Sequence, residues 1–220
     1  QYVYFHSGSG TTYRKVAEKP SSFTSIPTID LSDIDSPSLE ARKAIAKNIY
    51  DACHDCGFFY IKNHGIPEDL IDETFSLLKR FFALDLDAKM DAHVQRNPAI
   101  RGYEPMLETR LDPRSKGGKS QSNEIPKTHL NIKEAFTMGD CVIEPEQDYQ
   151  GKTGHAPPSH ITQPQNIWPS QAPWWREGLY KYYNRILVLA MKLVRIFALA
   201  FDLDEKAFDQ HFTFPITGMR

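Results

Sequence analysis

The sequence predicts an α+β domain, and three observations carry that reading. Short apolar stretches of strand length, residues 26–31 and 58–61, alternate with segments whose apolar residues recur at helical spacing. A long helical stripe then runs on from Pro173 without a break. Between these segments fall punctuation signals: Ser36-Pro37, Gly57 and Asn63-His64-Gly65. A chain of 220 residues is long enough to bury a sizeable core.

Residues 1–25 read as a flexible leader. Gly8-Ser9-Gly10-Thr11-Thr12 lacks the Gly-Lys-Ser/Thr ending of a phosphate loop and follows no hydrophobic strand. Residues 26–31 form a short strand with an early proline. Ser36-Pro37 reads as an N-cap followed by proline at the first helical position. Leu39, Ala44, Ile45, Ile49, Ala52 and Cys53 give that helix its apolar side, and Gly57 closes it.

Residues 58–61, a continuous apolar run, suit a strand covered on both faces. Pro67 opens a second helix with the stripe Leu70, Ile71, Phe75, Leu78, Phe81 and Phe82. A shorter helical turn through Ala88 and Met90 follows. Residues 111–131 read as a long mobile loop, 133–138 as a strand, and 143–173 as a proline-rich wrap. The helix from Pro173 extends to about Phe201, with Leu179, Tyr183, Ile186, Leu187, Ala190, Leu193, Val194 and Phe197 on its stripe. Asp204 caps a last short helix ending near His211.

Charge and cysteine usage narrow the function classes. A net charge of −2 lacks the basic excess of a nucleic-acid binder and gives no reason to expect an anionic membrane as partner. Three cysteines make no disulfide framework and suit a reducing, cytoplasmic setting. Residues 186–201, the most apolar stretch, are shorter than a bilayer span and carry Lys192 and Arg195, which marks a packed helix. Cys53-x-x-Cys56 falls at the wrong end of its helix for a redox pair and has no second pair for zinc, so Cys53 reads as core and Cys56 as incidental.

A non-haem iron site needs two histidines and a carboxylate, usually written locally as His-x-Asp or His-x-Glu. That spacing sets both side chains on one face of a strand. None of the eight histidines has Asp or Glu two residues later. Trp168, Trp174, Trp175, Tyr180, Tyr182 and Tyr183 cluster around the start of the long helix, and packing is their preferred role.

Ile26-Pro27-x-Ile29-Asp30-Leu31 is followed by Gly57-Phe58-Phe59-Tyr60-Ile61-x-Asn63-His64-Gly65-Ile66-Pro67. Then come Phe81-Phe82-x-Leu84 with Lys89, Arg101-Gly102-Tyr103, Lys133-Glu134-Ala135-Phe136 with Gly139, and Asn166-x-Trp168-Pro169. This ordered set, over residues 26–220, resembles the N-terminal region of the isopenicillin N synthase-like Fe(II)/2-oxoglutarate-dependent dioxygenases. The resemblance implies helices and a few strands packed against a double-stranded β-helix, or jelly roll. That β-helix carries iron on His-x-Asp and a distant His, and holds 2-oxoglutarate with a later Arg-x-Ser.

The family's iron-binding strands begin shortly after the position of Met219-Arg220. The expectation is therefore an N-terminal region with most of the iron-binding β-helix domain missing. Fe(II) and 2-oxoglutarate are then cofactors of the intact enzyme, which oxidises a small molecule in a setting such as secondary metabolism. This chain alone is expected to hold no catalytic or metal-binding residue and to bind neither cofactor. By resemblance, Arg101, Tyr103 and Phe136 belong to the substrate pocket; the competing reading makes Arg101 a surface ion pair and Tyr103 core. The apolar face of the 174–201 helix, with Leu179, Ile186, Leu193 and Phe197, is expected to lie exposed and to drive self-association. The alternative function is a non-catalytic binding or interaction module derived from the same family.

Overall fold

Helix α1, Leu39–Asp55, begins where a side chain can replace a missing backbone partner. Ser38 is its N-cap, and its Oγ accepts the Ala41 N–H at 3.3 Å. The cap lies two residues later than Ser36, whose own Oγ accepts the Ser38 N–H at 3.2 Å. Pro37 therefore precedes the helix. At the other end, Gly57 takes φ +83°, and its N–H reaches back to the Ala52 carbonyl at 2.9 Å. That left-handed turn suits glycine and stops the helix.

In the computed structural model, residues 2–7, 10–15, 24–97, 100–106, 133–139, 166–212 and 217–220 are described. They fall into two units, one of residues 1–65 with 189–209, the other of 66–188 with 210–220.

In the first unit, strands β1, Tyr2–Ser7, and β2, Gly10–Lys15, form an antiparallel hairpin whose register pairs Ser7 with Gly10. This corrects the expected flexible leader over residues 2–15. The paired runs, Tyr2-Val3-Tyr4-Phe5 and Thr11-Thr12-Tyr13, are rich in aromatic and β-branched residues, which favour strands. Strands β3, Thr28–Asp30, and β4, Tyr60–Lys62, pair in parallel, joined through α1. Ile29, Leu31, Ile45, Ala46, Ile49 and Ala52 are buried.

Two expectations for this unit fail. Phe58 and Tyr60 are exposed, so the apolar run is not covered on both faces. Cys53 is exposed too, because the buried side of α1 runs through Ile45, Ile49 and Ala52. A network at Asp30 ties the turn after β4 to β3. Asp30 Oδ1 accepts from Ser32 Oγ at 2.5 Å and from Asn63 Nδ2 at 2.8 Å, while Lys62 approaches Oδ2 at 3.1 Å. The Ser32 hydroxyl, then Asn63, the Ser32 amide and Lys62 hold the Asp30 carboxyl well below its ordinary value.

In the second unit, α2, Glu68–Phe82, buries Leu70, Thr74 and Phe81, while Phe75 is exposed. The expected stripe holds at Leu70 and Phe81, but Thr74 takes the buried place expected of Phe75, tolerated there because its Oγ1 donates to the Leu70 carbonyl at 2.7 Å. Helix α3, Leu86–Met90, follows as expected. Strands β5, Gly102–Glu104, β6, Ala135–Gly139, and β7, Gly218–Met219, make a three-stranded antiparallel sheet with β6 in the middle. The expected strand at 133–138 is thus present, shifted by two residues at its start.

Helix α4, Pro173–Ala200, gives its first half to the second unit and its second half to the first. Its buried line includes Trp175, Leu179, Tyr183, Leu189, Ile196 and Leu199. The apolar face expected to lie exposed is in part covered. Leu179 is buried, and Ile186, Leu193 and Phe197 are half-buried; the large exposed apolar side chain on this helix is Val188. After α4, Asp204 Oδ1 accepts the Lys206 N–H at 2.9 Å, and the expected short helix is reduced to one 3₁₀ turn at Asp209–His211. The expected loop at 111–131 and most of the wrap at 143–173 lie outside the described residues. Among the described residues no helix is long and apolar enough to cross a membrane.

Candidate functional site

The second unit is organised by an aromatic stack. Phe81 of α2 lies flat on Trp175 of α4, with centroids 4.0 Å apart and planes 7° from parallel. Phe136 of β6 meets both rings edge-on at 5.3 Å, and Trp168 stacks on its other side at 5.6 Å. Such aromatic pairs add about 0.5–1.5 kcal/mol each beyond the area they bury. The register sets Tyr103 directly opposite Phe136, so both project from the same face of the sheet. Tyr103 is buried and meets Phe81 edge-on at 6.2 Å.

Beside the stack lies a buried charge. The Tyr103 hydroxyl donates to Glu134 Oε2 at 2.6 Å. Lys89 Nζ donates to the same oxygen at 2.9 Å and to the Phe82 carbonyl at 3.0 Å. The Lys89 and Glu134 side chains are 9% and 19% exposed, so water screens the pair little. Burial, then the hydrogen bond to Glu134, then the Glu134 charge raise the Tyr103 phenol well above its ordinary value. Burial also pushes the Glu134 carboxyl up. The hydrogen bonds from Tyr103 and Lys89, with the Lys89 charge, outweigh that and leave Glu134 lowered overall.

Arg101 occupies the other side of β6. It is buried, and its guanidinium lies over Gly139, where an added Cβ would collide with it. Side chains alternate along a strand, so the side on which Gly139 bears Arg101 is opposite to that of Phe136 and Met138. Asn166 holds the strand end in place. Its Oδ1 accepts the Gly139 N–H at 2.8 Å, and its Nδ2 donates to the Gly139 carbonyl at 3.3 Å and to the Tyr180 hydroxyl at 3.0 Å. The carboxamide thus completes the edge as a neighbouring strand would.

The expected substrate-pocket residues are therefore divided. Tyr103 and Phe136 come together in the aromatic core, and Arg101 stands apart from them across β6. Phe136 also borders a cavity of about 530 Å³, together with Leu78, Phe82, Glu134, Trp175 and Leu179. Trp175 was legible only as a packing residue, and the Lys89–Glu134 pair only as two separate motif positions 45 residues apart. No spacing rule joins them.

Among the described residues, no three His, Cys, Asp or Glu side chains converge to hold a metal. His93 is buried, but its Nδ1 caps the turn of residues 94–96 by accepting the Gln95 N–H at 3.3 Å. The residues on view do not fit an iron centre.

Short parallel and antiparallel strand sets flanked by long helices, with a buried Lys–Glu–Tyr network, define a helix/strand region of α+β type. The family model for the N-terminal region of "non-haem dioxygenase in morphine synthesis" matches residues 26–171. The chain belongs to this non-haem dioxygenase family, the Fe(II)/2-oxoglutarate oxygenases related to isopenicillin N synthase. It is 30% identical over 215 residues to a 2-oxoglutarate-Fe(II) type oxidoreductase of Metarhizium rileyi, covering 95% of this chain and 54% of that protein. It is 31% identical over 195 residues to isopenicillin N synthase of Flavobacterium sp., covering 87% and 52%. A full-length protein of Neurospora crassa, solved in complex with alpha-KG, has a similar fold at TM-score 0.61 and 22% identity, covering 88% of this chain and 51% of that one. The chain spans about half the length of the curated relatives it matches.

The charge network has a testable cost. Glu134→Gln leaves Lys89 buried without its counter-charge and is expected to lose about 3 kcal/mol of stability, most of it regained in Lys89→Met/Glu134→Gln. The Glu134 carboxyl is lowered in the fold. Its contribution is therefore fully present above the ordinary value of 4.5 and is lost as pH falls through the lower folded value. Denaturant melts of both variants and of the native chain at neutral and acid pH check this. A single variant within about 0.5 kcal/mol of the native chain removes the network from the account.

Proposed function

We propose that this chain serves as the N-terminal half of an Fe(II)/2-oxoglutarate-dependent oxygenase that oxidises a small molecule. The observation that carries the reading is the match to oxygenases of about twice the matched length, along nearly the whole of this chain. The iron and 2-oxoglutarate chemistry is then supplied by residues that the described part does not contain. What this chain contributes is a rigid helix-backed sheet and one buried cation, Arg101, on the side of β6 away from the aromatic core. Tyr103 and Phe136 support that wall from behind, since the Tyr103 hydroxyl is committed to Glu134.

Succinate formation from 2-oxoglutarate is expected from the full-length protein and not from residues 1–220 alone. The coding sequence beyond Arg220 is expected to contain His-x-Asp, a distant His and Arg-x-Ser. A stop codon there, supported by transcripts, would favour the non-catalytic module instead. Succinate that tracks the purified 220-residue chain would also overturn the division of labour.

Arg101 suits a substrate carboxylate, because a guanidinium offers paired donors and keeps its charge when buried. In the full-length enzyme Arg101→Ala is expected to lower kcat/KM at least about tenfold, mainly through KM. An unchanged ratio ends that assignment.

Expressed alone, the 220-residue chain is expected to self-associate through the half-buried Ile186, Leu193 and Phe197 of α4. Each such side chain recovers part of the roughly 1.5–3 kcal/mol that full burial is worth. Sedimentation velocity over a concentration series checks this. A monodisperse monomer that binds no hydrophobic dye would show that the face needs no cover.

A further inference from the structure

Asn166 commits its whole carboxamide to one strand end. Its Oδ1 accepts the Gly139 N–H at 2.8 Å, and its Nδ2 donates to the Gly139 carbonyl at 3.3 Å. Only one direction of the carboxamide works there, because the Gly139 N–H must meet an oxygen. The nitrogen end is then tied to α4 by the Tyr180 hydroxyl, which accepts from Nδ2 at 3.0 Å. The Tyr180 ring is itself held, edge-on to Trp168 at 5.5 Å and with Cζ of Arg176 5.1 Å from its centroid.

Arg101 lies on the residue so fastened. A Cβ at position 139 would stand 2.1 Å from Arg101 Cζ, 2.2 Å from Nη2 and 2.4 Å from Nε. Cζ is the nearest of the three, so the guanidinium meets Gly139 with its flat face and not with its edge. Its N–H donors lie in that plane and are directed past the strand end, not at it. Gly139 does not adopt the left-handed backbone conformation that favours glycine. The guanidinium, and not the chain, is what requires glycine at this position.

We propose that Asn166 is a positioning residue: tied to α4 through Tyr180, it fixes Gly139 as the flat seat on which the Arg101 guanidinium rests, and so sets the plane in which that cation can meet a substrate carboxylate. A guanidinium binds a carboxylate best through two parallel N–H···O bonds in one plane. The plane in which it is held therefore decides which approach of the carboxylate it accepts, and a seat fixed in advance leaves less side-chain freedom to lose on binding. The last part of the proposal rests on the reading of Arg101 as the counter-charge of a substrate carboxylate; the seat itself does not.

Selective ¹⁵N labelling of arginine in the full-length protein reads the seat directly. The Nε–H signal of Arg101, assigned by its loss in Arg101→Lys, is expected to exchange slowly with solvent. Asn166→Ala removes the clamp, and Tyr180→Phe removes its tie to α4 while keeping the ring. Exchange at Arg101 is expected to rise about threefold to tenfold in each variant, with the other arginine signals unchanged. Gly139→Ala sets a methyl group where the guanidinium lies and is expected to raise it further. A purely structural Asn166 would lower the melting temperature and leave exchange at Arg101 as it was, which overturns the proposal. Unchanged exchange in Gly139→Ala overturns it too. Should Asn166→Ala fail to fold, Tyr180→Phe decides in the same way. Phenylacetate, a simple aryl carboxylate, is then titrated into the native protein, where it is expected to shift the Arg101 signal, and into the variants, where the shift is expected to weaken. Faster exchange in the variants with no phenylacetate response in the native protein overturns the carboxylate reading of Arg101 and leaves the seat standing, so the two failures give different results.

Discussion

A carboxylate withdrawn from water must be compensated at once, and Glu134 is compensated by Lys89 and Tyr103. Each partner comes from a different element. Lys89 closes α3, Tyr103 sits in β5, and Glu134 precedes β6. Removing either donor would leave a buried charge or an unpaired oxygen, so the three elements are specified together. Lys89 is further tied to the Phe82 carbonyl at the end of α2, which brings that helix into the same arrangement.

The aromatic stack builds on this placement. With Tyr103 held by its hydroxyl, its ring meets Phe81, and its cross-strand partner Phe136 meets both Phe81 and Trp175. Helices α2 and α4 are thereby clamped to one face of the sheet, and Lys181 adds an ion pair to Glu73 across the same helices at 2.5 Å. That last pair is exposed and contributes little, so the stack and not the surface charge carries the contact. The opposite face of β6 is left for Arg101, which only a residue without a Cβ at position 139 can accommodate.

This division of faces bears on function. The aromatic face is structural and, at one border, hollow. On the Arg101 face a buried guanidinium lies over a strand end that Asn166 fastens. The chain belongs to a family of iron enzymes and spans about half the length of the relatives it matches, and among its described residues no metal constellation appears.

The sequence by itself determined what depends on local periodicity and ordered motifs. The helices at 39–55, 68–82 and 173–200 and the strands at 28–30, 60–62 and 135–139 were legible in spacing and punctuation to within a few residues, and the family in the resemblance of its ordered motifs. Tertiary structure decided what depends on the neighbour. Whether Phe75 or Thr74 faces inward, whether Phe58 and Tyr60 are covered, and which line of α4 is buried each turn on a rotation smaller than the width of an apolar stripe. The site was less legible still. The pairing of Lys89 with Glu134, the placing of Arg101 and Phe136 on opposite faces, and the fastening of Gly139 by Asn166 join residues tens of positions apart. Only the folded register brings such residues within hydrogen-bond reach, because hydrogen bonds are satisfied by geometry and not by proximity in the chain.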